Sequence, residues 1–154
     1  MTLQEVLSPL DGKPGKERLS SRCWSYARDH GVPEDLIATL DDCAYAGAIR
    51  IGRLWLSPLA ELDIENSEEE NAPCIEHGFL IVGSGLNGDP IAVELATGRI
   101  AFLSHDLLWE RAYENFEECV VRTPLGLHEF WAQAAATPDF PVDSDDAERR
   151  WSDD

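Results

Sequence analysis

The feature that most constrains the fold is the stretch 76–104, where three strand-like segments follow one another with only short turns between them. Residues 79–82 are continuously apolar, residues 91–95 alternate with apolar side chains on one face, and residues 99–103 follow a Thr97-Gly98 turn. Parallel neighbours would need a crossover of about a dozen residues or more, for which no gap leaves room. The stretch therefore predicts three consecutive antiparallel strands, a central meander.

The register of the second and third strands is predicted from the turn. If Thr97-Gly98 is a two-residue loop, Leu95 lies opposite Ile100 and Val93 lies opposite Phe102, while Glu94 faces Ala101 on the other side of the sheet. A register slipped by one residue matches the two faces less well.

Residues 83–88, Gly-Ser-Gly-Leu-Asn-Gly, match the dinucleotide-binding pattern G-x-G-x-x-G and follow an apolar strand. That fingerprint requires a helix after the third glycine, leading back to a parallel strand. Here Asp89-Pro90 is followed by alternating residues and a turn. A glycine-rich connection between two antiparallel strands is the expected structure, and no cofactor is assigned to it.

The rest of the chain predicts one α+β domain over residues 17–136. Two N-terminal helices, 17–30 and 33–47, place apolar residues at helical spacing. The following segments are a strand over 48–56, a short helix over 59–64, a solvated charged loop over 65–71, an edge strand over 119–121, and a helix from Thr123-Pro124 whose Leu127, Phe130, Trp131 and Ala134 pack on the mainly antiparallel sheet. Residues 1–16 are expected to be a loose lead-in, and residues 137–154 an acidic mobile tail with Trp151 as its one candidate anchor.

The net charge of −18 is concentrated in one part of the chain. Residues 1–60 hold 7 basic and 8 acidic side chains, whereas residues 61–154 hold 5 basic and 22 acidic ones. Such a field repels nucleic acid and anionic lipid and attracts a basic partner. Solubility alone is an equally weighted explanation. The longest uncharged stretch, 77–88, contains four glycines and is too short to span a membrane, and the N-terminus lacks a basic region, so we expect a cytoplasmic protein.

The cysteines, Cys23, Cys43, Cys74 and Cys119, show no redox or disulfide spacing and are expected to be reduced core residues. Only Cys74-x-x-His77 has metal-like spacing, and a zinc site there would also need His105 or Cys119.

The Ser104-His105-Asp106 segment is typical of a helix cap. The neighbours His105 and Asp106 are not expected to act together as a catalytic pair, since adjacent side chains point in different directions. No hydrolase, metalloprotease or P-loop motif is present, so the sequence does not indicate an enzyme.

The segment 78–106 resembles the central signature of the SUKH superfamily, in its Smi/Knr-like branch. It contains a strand, then Val-Gly-Ser-Gly-Leu-Asn-Gly-Asp-Pro-Ile, then Glu-Leu-Ala-Thr-Gly, a further strand and Ser-His-Asp. The order of elements is also similar over residues 17–136, including the aromatic residues of Glu129-Phe130-Trp131. The acidic tail and the loop at residues 68–70 depart from the family pattern.

The resemblance implies a non-enzymatic domain without catalytic residues. Bacterial members are largely immunity proteins that bind and block a toxin, often a nuclease or deaminase, and a eukaryotic member is linked to cell-wall synthesis signalling. The glycines and proline that match family positions, together with Gly98, are expected to be structural turn residues: Gly83, Gly85, Gly88, Pro90 and Gly98.

Two functions are therefore open: an inhibitor that presents acidic surface to a basic toxin, and a regulatory or scaffold domain without a toxin. For the first, the candidate partner-binding residues are Glu65, Glu68, Glu69, Glu70, Asn87, Asp89 and Glu94. Asp89 and Glu94 are the expected rigid anchors, and the carboxylates of residues 68–70 are the expected rim. The oligomeric state is left open.

Overall fold

The computed structural model describes residues 1–112 and 114–151, which form an α+β fold with an antiparallel sheet, as expected. The helices are α1 (Leu3–Leu7), α2 (Ser21–Asp29), α3 (Glu34–Asp42), α4 (Leu62–Ser67), α5 (Ala72–Glu76), α6 (His105–Arg111), α7 (Leu127–Ala136) and α8 (Ser144–Trp151). The strands are β1 (Ile49–Ile51), β2 (Leu54–Leu56), β3 (Phe79–Ser84), β4 (Pro90–Glu94), β5 (Arg99–Leu103) and β6 (Val120–Gly126). Short 3-10 turns cover Leu59–Glu61 and Phe116–Cys119. Among the helices described, none is long and apolar enough to cross a membrane.

The six strands lie in the sheet in chain order, each antiparallel to its neighbours. The predicted three-stranded meander is confirmed, and β4 stands where a dinucleotide-binding fold would have its helix. The single strand expected over 48–56 is wrong, because Gly52, with φ of +62°, turns the chain into the β1–β2 hairpin. At the other edge, β6 extends through Pro124, so the last helix begins at Leu127 rather than at Thr123. Proline lacks a backbone N–H, and it is tolerated in an edge strand because the amides on the outer side of that strand have no neighbouring strand to donate to.

The predicted register between β4 and β5 is wrong by two residues. Val93 pairs with Ile100 and Ile91 pairs with Phe102, so each residue stays on its expected face. The turn is longer than two residues, since the amides of Thr97 and Gly98 both donate to the carbonyl of Glu94, at 3.2 and 2.8 Å.

Side chains that alternate along the strands divide the core between the two faces of the sheet. One face carries the large cluster, whose strand residues include Leu80, Val82, Ile91, Val93, Ile100 and Phe102 and whose helix residues include Leu3, Ile37, Leu40, Phe130 and Trp131. The other face carries the small cluster, formed by Cys74, Phe79, Ile81, Ala92, Ala101, Leu103, Leu108, Ala112, Phe116 and Cys119. All four cysteines are buried and free, as expected of core residues.

The N-terminal segment is not a loose lead-in. Thr2 and Glu5 form a reciprocal cap at the start of α1: the Glu5 amide donates to the Thr2 hydroxyl at 3.2 Å, and the Thr2 amide donates to the Glu5 carboxylate at 2.9 Å. Leu3 and Leu7 are buried, and the Leu3 amide donates to Nδ1 of His128 on α7 at 2.8 Å. The Thr-x-x-Glu spacing was a usable signal for this helix.

The C-terminal segment also belongs to the domain, contrary to the expected mobile tail. Phe140, Val142 and Ala147 are buried in the large cluster. The Phe140 ring lies 5.1 Å from that of Phe130 and 5.9 Å from that of Trp151. Residues 152–154 of the predicted tail lie outside the described residues. The domain therefore includes both segments that the sequence pattern assigned to its outside.

Candidate functional site

A groove of about 640 Å³ opens beside the small cluster, between three segments that are far apart in sequence. They are the α4–α5 connection, the β3–β4 loop and helix α6. The residues lining the groove are Glu69, Glu70, Asn71, Pro73, Gly88, Pro90, His105, Leu108, Trp109 and Ala112. The groove thus brings together two predicted partner-binding residues, Glu69 and Glu70, with two predicted turn residues, Gly88 and Pro90.

Helix α6 forms one side of the groove and begins with the predicted cap. The Ser104 hydroxyl accepts from the Leu107 amide at 3.4 Å, and its carbonyl accepts from the Leu108 amide at 2.8 Å. Leu108 and Ala112 turn into the small cluster. Trp109 lies on the outward face and is 85% exposed, which is unusual for a side chain of this size.

Asp89 is not the surface carboxylate that the sequence suggested, because it is only 1% exposed. Its carboxylate accepts from the backbone amides of His105 and Ser144, at 3.0 and 2.8 Å, and contacts Nδ1 of His105 at 2.5 Å. It therefore joins the β3–β4 loop to the first residues of α6 and α8. Burial alone would raise the pKa of Asp89, but these hydrogen bonds favour the ionised form and lower it overall.

His105 lines the groove with its ring fixed between two carboxylates. Its Nδ1 faces Asp89, and its Nε2 lies 3.3 Å from an oxygen of Asp106. The hydrogen bond to Asp89 raises the pKa of His105 against the opposing effect of its partial burial. Adjacent side chains were expected to point in different directions, yet the Asp106 carboxylate lies beside the His105 ring. The expectation that the two form no catalytic pair stays a prediction. The Asp89–His105 pair, 16 residues apart, left no local signal in the sequence.

The carboxylates of residues 68–70 are exposed, as the sequence predicted. Within the described part of the chain, the side chains of Glu69 and Glu70 make no hydrogen bond or ion pair. Glu65 differs, because it lies inside α4 and is partly buried with one oxygen lacking a partner among the described residues. Burial raises the pKa of Glu65, opposed by the Ser57 hydroxyl. Because it is partly buried, Glu65 does not extend the exposed carboxylates of residues 68–70.

Asn66, which sequence reasoning missed, fixes the position of this acidic connection. Its amide nitrogen donates to the Ile81 carbonyl at 3.1 Å, and its oxygen accepts from the Ile81 amide at 2.8 Å. Strand β2 pairs with β3 only at Gly83 and Ser84, so the Asn66 side chain takes the place of a neighbouring strand at Ile81. An asparagine within a run of glutamates gave no hint of this role.

Glu94, the second expected anchor, is neutralised inside the molecule. Nε and Nη2 of Arg122 each donate to one of its oxygens at 3.0 Å, and Arg122 also pairs with Glu117. Glu94 is 16% exposed and lines no part of the groove. Asn87 is exposed, and its side-chain oxygen accepts from the Asp89 amide at 3.0 Å, which shapes the β3–β4 loop.

The predicted turn glycines divide into two kinds. Gly88 and Gly98 have φ of +94° and +77° and are turn residues, as expected. Gly85 is also a turn residue, since its carbonyl accepts from the Gly88 amide at 3.1 Å, and a Cβ there would lie 2.3 Å from the Val142 carbonyl oxygen. Gly83 lies in β3 and is instead a site of close packing, where a Cβ would lie 2.4 Å from the Trp55 carbonyl oxygen. Pro90 begins β4.

The residues considered for zinc do not come together as a ligand set: Cys74 and Cys119 are both buried in the small cluster, but neither histidine joins them. His77 stacks on Phe116 with ring centroids 4.3 Å apart, and its Nδ1 lies 2.8 Å from the Pro73 carbonyl oxygen. His105 faces Asp89, as described above. Across residues 1–112 and 114–151, no group of three or more His, Cys, Asp or Glu side chains could hold a metal ion.

Comparison of the chain with protein-family models, with curated proteins and with solved structures found no match in any of the three.

Proposed function

We propose that this chain is a cytoplasmic, non-enzymatic immunity protein that neutralises a basic toxin, such as a nuclease, by binding it through an acidic surface centred on the groove. The observation that carries the proposal is the unpaired state of Glu69 and Glu70 beside an exposed tryptophan. Residue 68 and the exposed end of the β3–β4 loop at Asn87 extend the same surface.

The distribution of ion pairs supports a partner of positive charge. Several arginines are already engaged within the protein, Arg22 with Asp63 and Arg122 with Glu94 among them. The acidic side chains of residues 61–154 therefore outnumber the basic groups that could pair with them inside the protein, and the excess negative charge can interact with a partner. Over about a Debye length, roughly 8 Å at physiological salt, such a surface attracts a basic domain and can raise the association rate.

The groove also offers the kind of centre that tight interfaces have. Specific interfaces bury about 1,200–2,000 Å² in total, and a few tryptophan, tyrosine and arginine residues carry most of the binding energy. Trp109 is positioned as such a residue, with Leu108 and Pro73 beside it on the apolar part of the groove. Glu69 and Glu70 then contribute mainly to the association rate and its salt dependence.

The proposal is tested with the product of the gene next to the one encoding this chain. We expect the two proteins to co-purify, the toxic activity to be lost in the complex, and the association rate to fall as salt increases. Glu69→Gln with Glu70→Gln should lower that rate more than the control Glu17→Gln with Asp29→Asn. The control removes two exposed carboxylates that have no hydrogen-bond or ion-pair partner among the described residues and lie away from the groove.

Two results would count against inhibition. A neighbouring gene product that neither binds nor is toxic contradicts the immunity function. Binding to a non-toxic partner would favour the regulatory or scaffold function instead, because that function requires an interaction but no neutralised activity.

A further inference from the structure

Building on the proposed function, we propose that the groove binds an arginine of the partner within an extended segment, with the guanidinium stacked on the Trp109 ring and hydrogen-bonded to Glu69 or Glu70. The preferred side chain is arginine rather than lysine.

Comparison with the other four tryptophans shows that Trp109, among the residues that the structure describes, lacks a cation over its ring. Three of them carry an arginine over the ring, with 4.9–5.9 Å from Cζ to the ring centroid: Trp24 with Arg28, Trp55 with Arg50, and Trp151 with Arg150. A fourth, Trp131, is fully buried. No cation among the described side chains lies over Trp109, although it is the most exposed of the five. Its ring face is therefore available to a cation from outside.

Negative charge reaches the groove from a second segment. Glu69 and Glu70 line it from the α4–α5 connection and have no partner among the described residues. The one cationic group described in the lining is His105, and its charge is balanced by Asp89 and Asp106. A guanidinium entering the groove would thus meet a net negative lining.

The chemistry of the groove lining, an aromatic ring with carboxylates, favours arginine over lysine. A planar guanidinium can stack on an aromatic face and still donate two parallel hydrogen bonds to a carboxylate, which the compact ammonium of lysine cannot do. The aliphatic part of the side chain would lie against Pro73, Pro90, Leu108 and Ala112. A volume of about 640 Å³ exceeds one side chain and leaves room for the flanking backbone.

The inference is tested with peptide probes and purified protein, without the toxin. The probes are a fluorescein-labelled peptide of alternating glycine and arginine, the same peptide with lysine, and the same peptide with neutral citrulline. We expect the arginine peptide to bind about three- to tenfold more tightly than the lysine peptide, because a lysine over the ring cannot also donate two parallel hydrogen bonds to a carboxylate, and the citrulline peptide to bind weakest. Trp109→Leu, which keeps an apolar side chain without the ring, should remove the preference for arginine, and Trp109→Phe should keep part of it.

Two controls separate the groove from diffuse charge attraction. Trp55→Ala removes a tryptophan that already carries Arg50, and it should leave the preference for arginine unchanged. Glu17→Gln with Asp29→Asn should weaken binding less than Glu69→Gln with Glu70→Gln. Equal weakening by the two double variants, or an arginine preference that survives Trp109→Leu, overturns the inference.

Alternatives to a toxin arginine in the groove give different experimental results. If a second copy of this chain fills the groove, sedimentation shows a dimer that Trp109→Leu dissociates, and the inference is wrong. Toxin binding that is insensitive to Trp109→Leu refutes the arginine site while leaving the immunity function standing. Arginine-peptide binding that depends on Trp109, without any toxin partner, refutes the immunity function and retains the site.

Discussion

The two faces of the sheet are built from the same strands, but one is packed against the large cluster and the other lies beside the groove. In β4 and β5 the residues Ile91, Val93, Ile100 and Phe102 point to the large cluster, whereas Ala92, Ala101 and Leu103 point to the small cluster, so the second face carries fewer bulky side chains. The first face is covered by α7 with its buried aromatic residues. The second is covered by the short α6 and a 3-10 turn, beside which the groove opens. One face supplies most of the buried apolar surface, and the other gives room for a binding site.

The largest expected effect comes from removing an aromatic residue from the large cluster, which tests whether that face contributes more to the free energy of unfolding. Phe130 is fully buried and contacts the rings of Phe102, Trp131 and Phe140. We expect Phe130→Ala to lower the free energy of unfolding by about 3–5 kcal/mol, as measured by urea denaturation. The matched variant Phe116→Ala in the small cluster should cost less, because that cluster is smaller and lies beside an open groove. Equal losses would show that the two faces contribute equally.

The next effect concerns the link between the faces at Asp89. Asp89→Asn keeps the size of the side chain but replaces a charged acceptor with an amide that meets the donors of His105 and Ser144. We expect a loss of about 1.5–3 kcal/mol in the free energy of unfolding, the usual range for hydrogen bonds to a charged group. The matched control is Asp29→Asn, at an exposed aspartate whose carboxylate has no hydrogen-bond or ion-pair partner among the described residues, and it should cost much less. If Asp89→Asn is as neutral as this control, Asp89 does not hold α6 and α8 in place.

The pH dependence of stability provides a third, smaller test of the same pair. The pKa of His105 is raised in the folded protein, so its contribution is fully present below its unfolded value of about 6.5 and is lost as the pH rises through the folded value. The lowered pKa of Asp89 acts at the acid end, where its contribution is lost as the pH falls through the folded value. We expect the free energy of unfolding to decline above about pH 6.5, and His105→Gln to remove that part of the decline. An unchanged decline in this variant would assign it to other groups.

The sequence was informative where the pattern is local. Alternation identified the meander and the correct faces, and helical spacing identified Phe130 and Trp131 as core residues of the last helix. The register failed by two residues because a turn's length depends on its backbone conformation at Gly98, which the residue types do not specify. The N-terminal helix was missed although its Thr2–Glu5 cap was readable, since nearby prolines and glycines suggested a loop.

The site was less predictable, because its parts meet only in three dimensions. The exposed carboxylates at residues 68–70 could be anticipated from a run of like charges. The burial of Asp89 and the neutralisation of Glu94 by Arg122 could not, since each depends on a partner 16 or more residues away. Trp109 follows the predicted cap at residues 104–106, but its place on the outer face of α6 could not be predicted, because a single aromatic residue in a short helix does not show which side is covered.

The smallest effect on stability is expected at Trp109. Comparing it with Trp131 tests the difference between the two faces with a single residue type. Trp131 and Trp109 are the same residue type on the two sides of the molecule, one fully buried against Gly83 and Phe130, the other 85% exposed. Exposed substitutions away from caps and ion pairs usually change stability by less than about 0.5 kcal/mol, so Trp109→Leu should unfold in urea at the wild-type midpoint. Trp131→Leu should shift the midpoint strongly, because it leaves a cavity in the large cluster. A large loss at Trp109 would mean that the ring packs on the protein in solution, and the groove would then be filled by the protein itself. With stability unchanged, any loss of binding in Trp109→Leu is attributable to the missing ring rather than to unfolding.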